Sequence, residues 1–396
     1  MFVSLGTGSN QIPLLIALKN LNIPIIGIDQ NPEAEGKYYC DYFFISSIQD
    51  KDTIYKLLKP FAKKLSGIYS RSFGKNIQIA NELAKMFQLL HNPIESIKIY
   101  ENKKNILSIA IQYPELKYQK HIIKNIFNAK KWIIKHQSSY GKRNIFIENN
   151  KENIYKWINQ KEYIIEPYYE GKEYIFFGFI IDKQLYPLLI TQKNKNLNHK
   201  ELLFCDKSHF YPNDLSYHIK YKIFQISNYI IKKTKLFIGP FLAEFIVNDN
   251  HIFFIEAAPE VGGEFICDFL IPEITGIPYF EYLIQIYTGK NYESLKRNIL
   301  KKLQTPKNKA MLIEYILQKE GIFKNLYFPK DLFFSNYYYF HKILKKQNTI
   351  TNYENKNIDR IGVFALYGET DLENLIKESD KIQKNIQIQY ESISNE

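Results

Sequence analysis

Cysteine is scarce in this sequence. Cys40, Cys205 and Cys267 are the only three in 396 residues. They lie far apart and form no C-x-x-C pair, which argues against a zinc ribbon or a disulfide framework and leaves free thiols in a reducing compartment. Long apolar runs are missing too. Stretches such as Tyr174–Ile181 fall far short of the ~20 residues that a membrane span requires, so no membrane partner is expected. No basic segment leading into an apolar one precedes the strand-like run Phe2–Leu5, and a cytoplasmic location is expected. Finally, no dense block of one charge is present. The formal net charge of +12 comes from lysines scattered along the chain. That speaks against a nucleic-acid partner and for a diffuse field that attracts small anions.

What is present is an ordinary globular balance, with 45% apolar and 24% charged residues, so disorder is a poor description. The length exceeds the ~150 residues of a common single domain, and two or three packed units are expected. The first stretch alternates strand and helix: strands at Phe2–Gly6, Pro24–Asp29, Tyr42–Ile45 and Gly67–Ser70, helices at Gln11–Asn20, Asp52–Lys64 and Asn76–Leu90. Such alternation implies a doubly wound parallel sheet. After His91-Asn-Pro93 the pattern predicts helical segments from Glu95 to Asn128. Strands then follow at Lys131–Lys135, Ile145–Ile147, Tyr163–Glu166, Glu173–Ile181 and Leu185–Thr191. A helix over Leu215–Lys233 precedes two strands, Gly239–Asn248 and His251–Glu256, joined by the turn Asn248-Asp-Asn250. A mixed segment closes the chain, with a strand at Ile361–Tyr367 and a helix at Asp371–Ile386. The expected class is α/β followed by α+β, with no internal repeat and no low-complexity linker.

Some of these segments carry chemistry. Gly6-Thr-Gly8-Ser-Asn-Gln11 follows a strand and opens a helix, and Asp29 ends the next strand. A dinucleotide-binding turn has this layout, but Gln11 stands where the third glycine belongs, and a purely structural turn is the competing reading. Glu244 and Glu256 lie on the two hairpin strands. If the turn is as read, their carboxylates sit side by side, and adjacent carboxylates repel unless a cation lies between them. Hard oxygen ligands of this kind suit Mg²⁺, which also takes phosphate oxygens. The glycine pair Gly262-Gly263 beyond Glu256 lets backbone approach a ligand. Lys135 ends an apolar strand, where a buried ammonium needs an anion such as phosphate. The segment Ser138-Ser-Tyr-Gly141-Lys142 after it is small, polar and flexible.

Taken together, these residues resemble the ATP-grasp superfamily, on its carbamoyl-phosphate synthase-like and amino-acid (carboxylate-amine) ligase branch, over nearly the whole chain. The resemblance implies an ATP-grasp fold with an N-terminal pre-ATP-grasp domain (1–94), an ATP-grasp domain (95–290, its small lobe to about 165 and its metal lobe from about 166) and a C-terminal lobe (291–396). It implies an enzyme that uses ATP and Mg²⁺, or Mn²⁺ in its place, to activate a small carboxylate as an acylphosphate and join it to an amine or ammonia. Lys103, with Lys104 as its neighbouring alternative, is similar to the first ATP lysine, and Lys135 to the second. Ser138, Ser139, Gly141 and Lys142 resemble the loop that closes over the phosphates, and Glu166, Pro167 and Tyr168 the hinge facing adenine. Glu173 stands at the family's ribose glutamate, and Glu244 and Glu256 at its metal glutamates. Lys135, Glu244 and Glu256 are the implied catalytic set. Gly262, Gly263, Arg71 and Arg360 are implied on the substrate side. Family habit implies a homodimer, while the sequence itself leaves the oligomeric state open.

The sequence departs from the family where Ala258 replaces the usual asparagine and Glu260 the usual arginine. Either Arg71, Arg143, Lys193 or Arg360 supplies the missing positive charge, or activity is altered or lost, leaving an ATP-binding sensor or scaffold. Each match also has a plainer reading. Lys103 could be a solvated helix lysine and Glu173 a cross-strand ion-pair partner. His209 and His251 read as surface or turn histidines, and the Tyr337–His341 cluster as core or subunit contact.

Overall fold

The run Phe2–Leu5 is buried at every position, as a strand covered on both faces must be. In the computed structural model, which describes residues 1–138, 145–195, 205–248, 251–263, 265–304, 308–352 and 359–392, this run is β1. Strands β2 (Ile25–Asp29), β3 (Tyr42–Ile45) and β4 (Gly67–Tyr69) join it in a parallel sheet of order β3-β2-β1-β4. Helices α1 (Ile12–Asn20), α2 (Lys51–Leu58) and α3 (Lys75–Met86) connect the strands. The expected helix over Asp52–Lys64 narrows to a 3₁₀ turn at Lys59–Lys64, where Pro60 cannot donate to the preceding turn. The glycine turn between β1 and α1 is closed from within. Gly6 has φ +98°, and the Asp29 carboxylate accepts the Thr7 N–H at 2.8 Å and the Asn31 N–H at 2.9 Å. Asp29 is thereby committed to the turn, which favours the structural reading of this motif over a dinucleotide site.

Helices α4 (Ile94–Tyr100), α5 (Lys103–Ala110) and α6 (Lys117–Lys124) lead into a small antiparallel sheet. Its strands β5 (Trp132–His136), β6 (Ile145–Glu148) and β7 (Tyr163–Pro167) run in the order β6-β5-β7, with α7 (Lys151–Ile158) between the last two. The large antiparallel sheet starts with β8 (Lys172–Ile181), β9 (Gln184–Lys195) and β10 (Asp206–Tyr211). It continues after α8 (Tyr217–Thr234) with β11 (Gly239–Val247) and β12 (Ile252–Ala258). A π-helical turn at Ile266–Leu270 and helices α9 (Ile271–Thr275), α10 (Tyr279–Thr288) and α11 (Tyr292–Gln304) follow. The chain then returns as β13 (Ala310–Leu317), β14 (Gly321–Tyr327), β15 (Tyr338–Ile343), β16 (Thr349–Thr351), β17 (Arg360–Gly368) and β18 (Gln387–Glu391), with α12 (Lys330–Phe334) and α13 (Leu372–Lys384) among them. The eight-stranded order is β12-β11-β8-β9-β10-β13-β17-β15, so one sheet runs unbroken from strands before residue 290 to strands after it; β16-β14-β18 forms a separate sheet.

The period of two divides the faces of β8 and β11. Tyr174, Phe176, Ala243, Phe245 and Val247 point into a core with Ile223, Ile226 and Ile230 of α8. Glu173, Ile175, Phe177, Leu242, Glu244 and Ile246 point the other way, into a cavity. Strand β12 closes that edge of the sheet. Its free Phe254 N–H and C=O are taken by the Gln119 side chain of α6 at 2.9 and 2.8 Å. Among the described residues, no helix is long and apolar enough to cross a membrane.

Candidate active site

A cavity of about 310 Å³ opens between the small sheet with α5 and the large sheet. Its floor carries the two glutamates read from the hairpin. Glu244 and Glu256 are direct cross-strand partners in the β11–β12 register, beside a bulge at Glu244/Phe245. Asp249 and Asn250 of the turn lie outside the described residues. The pairing Val247↔Ile252 and the Asn248 N–H to His251 carbonyl bond of 3.1 Å give the hairpin all the same.

Lysines meet these carboxylates. Lys103, at the first turn of α5, lies 2.9 Å from Glu256, whereas Lys104 is exposed. Asn102 decides between the two. Its side chain caps the helix by accepting the Lys104 N–H at 2.9 Å, and Lys103 is left facing the cavity. Lys103 and the coulombic field of Lys135 and Lys193 hold the Glu256 carboxyl down at about 2, against the opposing effect of burial. Burial pulls the Lys103 ammonium down, but Glu256, with Glu244 and Glu166 behind it, outweighs this and the net direction is up.

Lys193 is the hub of the floor. It is only 1% exposed and lies 2.8 Å from Glu244, 3.3 Å from Glu173 and 4.0 Å from Asp206. Glu173 also pairs with Lys195. Glu173 is therefore both a cavity residue and the cross-strand ion-pair partner, since its register partner on β9 is Lys193. Lys135 is buried on the cavity wall and lies 3.1 Å from Glu166. The Glu166 carboxylate also accepts the Tyr169 hydroxyl at 3.2 Å. Glu166 thus turns inward, and Tyr168 and Tyr169 of the same segment line the cavity. Pro167 lies on a neighbouring depression.

Gly262 and Gly263 line the cavity as well. A Cβ at Gly262 would stand 2.5 Å from the Phe177 ring, so the chain passes there only as glycine. Ser138 is tied back through its N–H to His136 at 3.2 Å. Ser139, Gly141, Lys142 and Arg143 lie outside the described residues.

Arg71 and Arg360 are not among the residues lining the cavity. The Arg71 guanidinium makes a bidentate pair with Asp268 at 2.7 and 2.8 Å and lies over the Phe280 ring. Arg360 donates to the Asp206 backbone carbonyl at 2.9 and 3.1 Å and stacks on Tyr315 at 3.7 Å. Neither reaches the place where the arginine replaced by Glu260 is missing. His209 corrects a second expectation: it is wholly buried, because its strand β10 lies inside the sheet between β9 and β13. His251 stays near the surface, stacked on Tyr118 at 3.7 Å.

The cavity also holds residues that sequence reasoning passed over: Glu101, Lys195, Asp206 and, as a wall residue, Glu260. Lys195 and Asp206 could have been found from strand periodicity, as Lys195 follows Lys193 by two. Glu101 carried no such signal. Among the described residues, no group of three or more His, Cys, Asp or Glu is disposed as a metal cluster. The donors on offer are Glu244 and Glu256, two hard oxygen ligands open to the cavity. They fit an ion completed by phosphate oxygens, not one caged by protein.

Residues 124–268 match the family model of the ATP-grasp domain. The chain has an ATP-grasp fold. The match takes in β5 to β12, with Lys135, Glu244 and Glu256. The whole fold is similar to phosphoribosylglycinamide synthetase from Anaerococcus prevotii, with TM-score 0.73, 20% identity and 98% of this chain and 99% of that chain covered. It is also similar to L-amino acid ligase from Bacillus licheniformis, with TM-score 0.78, 12% identity and 99% of both chains covered. The biotin carboxylase domain of Hydrogenobacter thermophilus 2-oxoglutarate carboxylase, in complex with MgADP, ADP and bicarbonate, gives TM-score 0.69 at 14% identity, covering 98% of this chain and 90% of that one. No curated protein matches the chain. The matched residues span both the small sheet and strands β8 to β12 of the large one.

Proposed function

We propose that the chain is an ATP- and Mg²⁺-dependent ligase that activates a carboxylate as an acylphosphate and passes it to an amine. The observation that carries this reading is the Glu244–Glu256 pair, set in cross-strand register on the floor of a cavity with Lys103 and Lys135 on its walls. The solved structures of like fold include an L-amino acid ligase and a domain holding MgADP and bicarbonate, which supports ATP and magnesium as the ligands here.

Glu244 and Glu256 would hold the ion, which when bound offsets the charge of the transferring phosphoryl group. Lys103 and Lys135 put positive charge where the phosphates would lie. Glu173 and the Tyr168–Tyr169 segment would take the ribose and base. The substrate carboxylate attacks the γ-phosphorus in line, ADP leaves, and the amine then displaces phosphate from the acyl carbon. The chain's part in this is positioning and charge, not covalent chemistry. Ser138, Ser139, Gly141 and Lys142 would close over the phosphates and keep water from the acylphosphate. The same reading keeps the division at residues 94 and 290, with all of the cavity lining except Phe73 drawn from the middle unit.

Glu256→Gln removes one charge without changing volume. ADP release from ATP should fall at least ~10³-fold in this variant, the loss of a metal ligand and of a charge that acts in the transition state. A fully active Glu256→Gln protein would overturn the assignment.

A further inference from the structure

Glu260 lines the cavity, surrounded by protein yet still partly accessible. Unlike Glu256, Glu244 and Glu173, it has no hydrogen bond or ion pair among the described residues. Lys103, the cation whose field reaches Glu260, is paired with Glu256. Glu101 lies in the field of Lys98, itself paired with Glu95, and of Lys75, and among the described residues it forms an ion pair with neither. Burial pushes the Glu260 carboxyl up to about 8, and the charges of Glu256 and Glu244 add to this. A side pocket of about 20 Å³ leads off at this point, and Glu260 and Glu101 both line it as well as the main cavity. The Glu101 Oε1 is buried without a hydrogen-bond partner. Tyr100, Ile77, Ile97 and Pro259 make up the apolar part of the wall.

A buried carboxylate without a paired cation is costly, and for Glu260 the charges of Glu256 and Glu244 add to that cost. A ligand bearing a carboxylate or phosphate here would add to it further. A ligand bearing an ammonium group would relieve it, and 20 Å³ is room for about one water-sized group. We propose that Glu260 and Glu101 form a subsite for an ammonium group, so that the amine substrate carries a second positive charge, as a diamine, a polyamine or a basic amino acid does. This rests on the ligase reading above for the role of the amine, and the subsite itself is readable without turnover.

The test is calorimetric titration of the full-length chain with three four-carbon amines that differ only at the far end: 1,4-diaminobutane, butylamine and 4-aminobutanoate. The diamine should bind about tenfold or more tightly than butylamine, the worth of a charge-assisted hydrogen bond to a buried carboxylate, and 4-aminobutanoate should bind weakest. Glu260→Gln keeps the volume and should erase the diamine preference, and Glu101→Gln should reduce it independently. A wild-type chain that binds 4-aminobutanoate best, or that binds no diamine, overturns the proposal, as does an unchanged preference in both variants. ADP release from MgATP is measured on the same samples. Diamine binding without any ADP release would count against the ligase reading and leave the subsite standing. ADP release that depends on an amine but is indifferent to its far end would do the reverse.

Discussion

At the residue scale, the site is a balance of buried charges. Lys193 neutralises Glu244 and Glu173 while being almost inaccessible itself. Burial lowers its pKa, but Asp206, Glu244 and Glu173 outweigh that and hold it protonated. Lys193→Met would strand those carboxylates, and unfolding in urea should show a loss of about 3–5 kcal/mol; a loss under ~1 kcal/mol would show that the hub is not needed. The sequence named Glu244, Glu256 and Lys135 because a hairpin and a strand end place them by local rules. It could not separate Lys103 from Lys104, since the Asn102 cap decides which of them faces inward. It also could not see that Arg71 and Arg360 are bound to Asp268 and Asp206, partners far away in the chain that no local pattern reveals.

At the scale of elements, β10 and β13 show what a strand position does to its polar residues. Glu314 lies on β13, 4% exposed and opposite Ser208 of β10. Burial pushes its carboxyl up to about 7, although Lys207 at 3.5 Å pulls the other way. An unfolded glutamate ionises near 4.5. Between pH 4.5 and about 7 the unfolded chain has therefore lost a proton that the folded chain keeps, so this group's contribution to stability falls as pH rises through that window. Relative to wild type, Glu314→Gln should gain up to about 3 kcal/mol between pH 4.5 and 8, read from urea unfolding at each pH. A difference that does not change with pH would contradict the assignment. The polar composition of β10 (Asp206–Tyr211) hid this strand from sequence reading, and with it the burial of His209. Strands β11 and β12 were legible because their hairpin is local, whereas β10 is defined by its long-range pairing with β13.

At the scale of the whole molecule, two sheets face each other across the cavity, and α5 brings Lys103 to the join. The N-terminal parallel sheet was plain in the alternating pattern. The C-terminal strands were mostly not, because β13 and β17 find their partners across the chain and complete a sheet begun more than a hundred residues earlier. A ligand that bridges the two sheets should stabilise the fold by linkage, about 2.7 kcal/mol at a hundredfold excess over its Kd. MgATP should raise the thermal midpoint of the wild-type chain and do so far less for Glu256→Gln. An equal rise in both would place the nucleotide elsewhere.

The central claim is tested most directly by ADP and phosphate release from ATP and Mg²⁺ across pools of carboxylic acids combined with amines or ammonia. The account predicts release that requires both a carboxylate pool and an amine pool and that disappears in Glu256→Gln. ATP bound in the cavity with no release from any pool would contradict it, and would leave a nucleotide-binding protein in which Ala258 and Glu260 have ended the chemistry.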